Sequence, residues 1–137
     1  MSTPLTEAQL TRQVADLLDW ALPPGAKFTH IASGGWRHPA VAGQLAAQGV
    51  RKGAPDFVIV MPGLAIVWIE LKTASGRLSD EQHEWAYALN NTPGSRHFVC
   101  RSIDGVLDAL RVCGVPLSIK ESGRGGEPRA AGRLSDD

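Results

Sequence analysis

Three charged side chains lie in a segment, residues 52–72, whose other residues are mostly apolar and typical of buried strands. Asp56 opens the first apolar run, and Glu70 and Lys72 close the second, with Pro62-Gly63 between the two runs. A charged group inside a sheet costs several kcal/mol unless it is paired or binds a metal ion. These residues are therefore either exposed or part of a site.

A β-hairpin would bring the three side chains together at its open end. Glu70 and Lys72 are two residues apart, so they share one face of a strand. A two-residue loop of Pro62-Gly63 would place Asp56 opposite Ile69, facing away from Glu70. A bulged three-residue loop, or a bend at Asp56, would place it with Glu70.

Two carboxylates held this close repel each other, and a hard divalent cation with oxygen ligands relieves that repulsion. A lysine two residues from a ligand can hold a water molecule or neutralise charge that develops on a phosphate. The hairpin therefore predicts a site for a divalent cation with a lysine beside it.

The elements that must position this site follow from capping and periodicity. Thr6-Glu7-Ala8-Gln9 and Ser79-Asp80-Glu81-Gln82 have the form of capping boxes, and each precedes a helical pattern. Strands are predicted over 27–32 and 97–101, a second helix over 39–48, and a last helix from Ser102 to Gly114. The order is helix, strand, helix, hairpin, helix, strand, helix, which predicts an α/β fold: a small mixed sheet flanked by helices.

Two polar residues lie on the apolar faces of their helices. Glu7 precedes Leu10 by three residues and Val14 by seven, and Gln82 precedes Trp85 by three. From spacing alone, Glu7 either favours the helix dipole as a first-turn acid or points toward the site.

The residues around the hairpin jointly resemble the VRR-NUC family of the PD-(D/E)XK nuclease superfamily. That family pattern has a glycine before Pro-Asp, then Glu-x-Lys, a glycine turn, Leu-Ser and a Gln that opens a helix. The residues that fit it are Gly53, Pro55, Asp56, Glu70, Lys72, Gly76, Leu78, Ser79 and Gln82. The resemblance covers roughly residues 5–112 and implies a restriction-endonuclease-like mixed β-sheet.

The resemblance also implies roles for these residues. The implied ligands of Mg²⁺ or Mn²⁺ are Glu7, Asp56, Glu70 and the backbone carbonyl of Leu71. Lys72 would position the attacking water and offset charge in the transition state, and Gln82 would orient Lys72 or a phosphate. The implied catalytic residues are Asp56, Glu70, Lys72 and Gln82. Whether one metal ion or two are bound stays open.

Contacts with DNA are predicted from residues in loops or at element ends near the hairpin. The basic candidates for phosphate contacts are Arg37, His38, Arg51, Lys52 and Arg77, for which the alternative is a solvated surface. Trp36, in a glycine-rich loop, is a candidate for stacking on an unpaired base, or else it covers the core.

Composition limits the remaining possibilities. A chain of 137 residues fits one domain, and we expect a nuclease domain over 1–120 and a flexible tail over 121–137, which is rich in glycine and charge. The net charge of zero argues against a protein that coats nucleic acid. The two cysteines are expected as free thiols in a cytoplasm, and no apolar run is long enough to span a bilayer.

The expected function is that of a metal-dependent DNA endonuclease that acts on branched DNA in phage replication or repair, as a homodimer. One alternative is a nicking or double-strand nuclease directed by a partner protein. Another is a non-catalytic nucleic-acid-binding protein of the same fold, which we would expect to have lost Asp56, Glu70 or Lys72.

Overall fold

The computed structural model describes residues 3–32 and 38–118. Its elements are, in chain order, α1 (Glu7–Ala21), β1 (Lys27–His30), α2 (Pro39–Ala47), β2 (Phe57–Val60), β3 (Ile66–Leu71), α3 (Asp80–Asn90), β4 (Ser95–Cys100) and α4 (Ile103–Val112). The predicted order of elements is confirmed. The predictions for Trp36, Arg37 and the tail over 121–137 lie outside the described residues. None of the helices described is both long and apolar enough to cross a membrane.

The two capping boxes form as the sequence predicts, and they have matching geometry. In α1 the Thr6 hydroxyl accepts from the Gln9 amide at 3.1 Å, and the Gln9 side chain accepts from the Thr6 amide at 2.8 Å. Ser79 and Gln82 make the same pair of bonds, at the same two distances, at the start of α3. Each box satisfies two amides that would otherwise be unpaired, and so fixes where its helix begins.

The four strands form one mixed sheet in the order β1-β2-β3-β4. β1 and β2, and β2 and β3, are antiparallel, whereas β3 and β4 are parallel. The hydrophobic core lies on one face of this sheet, where α1 and α4 cover it. The buried members of this core include Leu10, Val14, Leu18, Phe57, Ile59, Val67, Ile69, Leu71, Val106 and Leu110.

The hairpin adopts the register that brings the acidic residues together. Phe57 pairs with Ile69 and Ile59 pairs with Val67, which leaves a three-residue loop over 62–64 with Gly63 at φ +86°. Asp56 directly precedes these paired residues, and its amide donates to the Ile69 carbonyl at 2.9 Å, beside Glu70. Of the two registers that the sequence allowed, the structure therefore has the one with the odd loop.

The turn before β2, which contains Gly53, packs closely against the start of α3. Gly53 has φ +85°, and a Cβ built on it would lie 2.6 Å from the backbone carbon of Glu81 and 2.8 Å from the amide nitrogen of Gln82. No side chain fits at this distance from backbone atoms. The glycine therefore permits the contact that holds the start of α3 near the hairpin.

Gly53→Ala should destabilise the protein more than Gly49→Ala, which is a matched control. Gly49 also has positive φ, at +102°, but a Cβ there would meet nothing within 4 Å. Urea unfolding should show a loss of about 1–2 kcal/mol for Gly49→Ala, from backbone strain alone. Gly53→Ala should lose a further ~1–3 kcal/mol from the clash. Equal losses would contradict the packing role of Gly53.

Candidate active site

Three carboxylates meet at the open end of the hairpin. Glu7, Asp56 and Glu70 each offer an oxygen, and these atoms all lie within 4.8 Å of one another. Glu7 comes from the first turn of α1, Asp56 directly precedes β2, and Glu70 lies near the end of β3. A single cation with metal–oxygen distances of roughly 2.0–2.6 Å could contact oxygens spaced in this way.

Glu70 is the most constrained of the three acids. Its side chain is only 2% exposed, and its Oε2 accepts a hydrogen bond from Gln82 Nε2 at 2.9 Å. Its Oε1 is buried and has no hydrogen-bond partner among the described residues. A buried oxygen without a partner is costly, so this atom is suited to a ligand that the polypeptide does not supply.

The surroundings of Glu70 favour its protonated form. Burial is the largest cause, the neighbouring Asp56 adds to it, and together they raise the pKa of Glu70 from an ordinary value of 4.5 to about 8. Glu7 contributes in the same direction, and Lys72 opposes the rise. Without a metal ion, Glu70 therefore holds a proton at neutral pH, and a cation would take the place of that proton.

Asp56 is held by backbone contacts on both sides. Its Oδ2 accepts a hydrogen bond from the Leu71 amide at 2.7 Å, while its own amide donates to the Ile69 carbonyl at 2.9 Å. His30 Nδ1 lies 2.8 Å from the Asp56 carbonyl oxygen, which can only accept, so Nδ1 is the donor. The Asp56 carboxylate therefore has a fixed position beside Glu70. Leu71 thus contacts Asp56 through its amide, and the role of its carbonyl oxygen as a metal ligand stays a prediction.

Lys72 follows β3 directly and is half-buried. Its amide donates to the Cys100 carbonyl at 3.0 Å, which continues the pairing of β3 with β4. Its effect on the pKa of Glu70 places its ammonium group within electrostatic range of that carboxylate. The turn that follows packs on its stem, since a Cβ at Gly76 would lie 3.4 Å from Lys72 Cδ.

Gln82 uses both ends of its amide. Its Oε1 accepts from the Ser79 amide in the capping box, and this leaves Nε2 to donate to Glu70. In the structure this bond goes to Glu70, and the prediction that Gln82 orients Lys72 or a phosphate stays a prediction. The capping bond fixes the Gln82 side chain at a position from which its Nε2 reaches Glu70 Oε2.

Two of the predicted DNA contacts have structural partners in α2. His38 is its N-cap, where Nδ1 accepts from the Ala40 amide at 3.1 Å. Arg51 Nη1 donates to the Ala46 carbonyl at 3.0 Å, near the end of the same helix. Lys52 is exposed, and its contact with DNA stays a prediction.

Arg101 lies next to the site, and no pattern in the sequence singles it out. Its Nη1 donates to the carbonyl oxygens of Thr73 and Gly76, each at 2.7 Å. It thereby braces the turn that follows Lys72. His30 was also missed as a support for Asp56. Both contacts join residues that are far apart in the chain, so spacing could not reveal them.

An α/β fold with a mixed sheet, and acidic side chains at the open end of its hairpin, defines the restriction-endonuclease-like class. The model of the VRR-NUC domain matches residues 30–104, which is more than half of the chain. The chain belongs to the VRR-NUC family, a family of nucleases. The matched segment contains Asp56, Glu70, Lys72 and Gln82, whereas Glu7 lies before it.

A solved structure described as a VRR_NUC domain protein is similar in fold. It is 20% identical in sequence, the superposition covers 81% of this chain and 89% of that chain, and the TM-score is 0.59. The curated proteins include no significant match to the sequence.

Glu70→Gln should remove a pH dependence from the stability of the metal-free protein. Between about pH 4.5 and about pH 8 the folded state keeps the Glu70 proton and the unfolded state has lost it. The free energy of unfolding should therefore be highest at the acidic end and fall as the pH rises to about 8. Urea unfolding in EDTA should show this fall in the wild type and much less of it in Glu70→Gln. Equal profiles would contradict the assignment.

Gln82→Glu should separate the capping role of Gln82 from its contact with Glu70. A glutamate keeps the capping box but replaces the donor to Glu70 with another carboxylate. At pH 8 in EDTA we expect a loss of about 1–3 kcal/mol in the free energy of unfolding. Gln9→Glu is the matched control, because within the described residues the Gln9 side chain bonds only to Thr6 in its own capping box and not to Glu70. If both variants lost the same amount, the contact with Glu70 would contribute nothing.

Proposed function

We propose that the protein is a metal-dependent endonuclease that hydrolyses phosphodiester bonds of DNA at the cluster of Glu7, Asp56 and Glu70. The observation that carries the proposal is the buried, unpartnered Oε1 of Glu70 beside two further carboxylates. This donor set is all oxygen and negatively charged, which suits Mg²⁺ or Mn²⁺ rather than a soft metal.

Glu7, Asp56 and Glu70 would hold the ion, with the carbonyl of Leu71 as a further ligand. A bound Mg²⁺ or Mn²⁺ polarises a scissile phosphate and lowers the pKa of a coordinated water molecule. The proposal holds for one ion or for two.

The neighbouring side chains would position the metal ligands and neutralise charge on the phosphate. The Lys72 ammonium lies within electrostatic range of Glu70, where it would hold the attacking water and offset negative charge on the phosphate. Gln82 holds the Glu70 carboxylate at 2.9 Å and so fixes one ligand in place before a metal ion binds. His30 does the same for the backbone of Asp56.

For the substrate we propose branched or structured DNA, in phage replication or repair. The zero net charge supports local recognition rather than an extended electrostatic contact along a duplex. Targeting by a partner protein is the alternative within the same chemistry. A non-catalytic role is disfavoured, since Asp56, Glu70 and Lys72 are all present. Both cysteines are free thiols, which supports a location in a bacterial or phage-infected cytoplasm.

We further propose a homodimer, which would present two active sites to two strands. The support comes from α2. This helix has no charged residue, and none of its side chains is buried against the described residues. Val41, for example, is 45% exposed. Such a surface is costly to leave in water.

If α2 mediates the dimer, Val41→Glu should convert a dimer to a monomer in sedimentation equilibrium. Val112→Glu, at a more exposed position on α4, should leave the mass unchanged. A wild-type protein that sediments as a monomer would contradict the proposal.

Cleavage assays with labelled linear, flap, nicked and four-way junction DNA test the proposed function. With Mg²⁺ or Mn²⁺ the wild type should cut at least one of these, and Lys72→Ala should abolish cutting. Glu7→Gln should reduce the rate by about 10- to 100-fold, because a ligand is lost. Asp16→Asn, which removes an exposed acid from the same helix, is the control and should keep the wild-type rate. Near wild-type turnover in Lys72→Ala would contradict the mechanism.

A further inference from the structure

An open cavity of about 510 Å³ lies on the side of the active site away from β2. Its walls are the loop between β3 and α3, the first turns of α3 and the end of β4. The residues that line it are Arg77, Leu78, His83, Val99 and Arg101. Two arginines and a histidine therefore line one space, and no acidic residue is among the lining residues.

The two arginines have guanidinium N–H groups that could donate hydrogen bonds to a ligand. Arg101 donates from Nη1 to the carbonyls of Thr73 and Gly76, and among the described residues no acceptor bonds to its Nε or Nη2. Within residues 3–32 and 38–118, neither Arg77 nor Arg101 forms an ion pair. Guanidinium groups match the oxygens of a phosphate with paired hydrogen bonds, and they bind it better than a lysine does where the geometry is fixed.

The cavity and the active site share a structural element. The turn that Arg101 braces begins directly after Lys72, and its Gly76 packs against the Lys72 stem. An anion bound by Arg101 would therefore be linked through this turn to Lys72, the residue proposed to act on the scissile phosphate.

We propose that this cavity binds a backbone phosphate of the substrate strand, one that is not the phosphate being cleaved. The inference rests on the proposed function and adds a second phosphate contact to it. Arg77, His83 and Arg101 would contact the phosphate, and Leu78 and Val99 provide an apolar wall for the adjoining sugar. The contact sets the register of the strand with respect to the metal site, so that a backbone position rather than a base is recognised.

The test measures how DNA affinity depends on salt. Fluorescence anisotropy with a labelled oligonucleotide that lacks terminal phosphates would be recorded from 50 to 200 mM salt, with Ca²⁺ in place of Mg²⁺ to limit cleavage. Each phosphate neutralised contributes about 0.7–0.9 to the slope of log K against log salt. Arg77→Ala should bind DNA more weakly than the wild type at 50 mM salt. Between 50 and 200 mM salt, the factor by which its affinity falls should be roughly threefold smaller than the factor for the wild type.

Arg96→Ala is the matched control, because it removes the same charge from the other end of β4. The Arg96 guanidinium lies 5.3 Å from the centre of the Phe98 ring and does not line the cavity. Its salt dependence should equal that of the wild type.

If Arg77→Ala and Arg96→Ala gave the same slope while the wild type cleaved DNA, this inference would be overturned and the proposed function would stand. If the wild type neither bound nor cleaved DNA, both would fall.

Discussion

The repulsion among three carboxylates at the end of a hairpin is the constraint on which the site depends. Glu70 is buried and unpartnered at one oxygen, and Asp56 and Glu7 lie against it. Burial and the neighbouring Asp56 raise the pKa of Glu70 to about 8, so the metal-free protein favours a proton on this carboxyl group at neutral pH. The folded protein tolerates the cluster because a proton or a cation can neutralise it. The repulsion among the carboxylates is also what gives the cluster its affinity for a cation.

Several elements are fixed so that this cluster cannot relax. The Asp56 carboxylate is tied to the Leu71 amide, and Glu70 is tied to Gln82, whose position is set by the cap of α3. The start of α3 is in turn held against Gly53, where no side chain would fit. The groups that bond directly to the two carboxylates, the Leu71 amide and the Gln82 side chain, belong to β3 and α3, and such regular elements hold a site rigidly.

Much of the fold follows from local signals in the sequence. The capping boxes and apolar periodicities depend on neighbours along the chain, and they gave the order of helices and strands. The shared face of Glu70 and Lys72 followed from the period of a strand. The register of the hairpin did not, because it depends on the loop over 62–64, for which the sequence allowed two conformations.

The contacts that complete the site depend on tertiary structure. Arg101 braces a turn 25 or more residues earlier in the chain, and His30 supports Asp56 from a different strand. Nothing in the local sequence marks either residue. The partner of Gln82 was also not predictable, since the helix face showed the direction of the side chain but not which atom it would reach.

Calorimetric titration of the protein with Mn²⁺ at pH 7, in two buffers of different ionisation enthalpy, tests the central claim most directly. The difference between the buffers gives the number of protons released as the ion binds. Because the pKa of Glu70 is raised to about 8, binding should release close to one proton. Glu70→Gln should bind Mn²⁺ much more weakly and release none. Tight binding with no proton release, or unchanged binding in Glu70→Gln, would contradict a metal site built on this carboxylate.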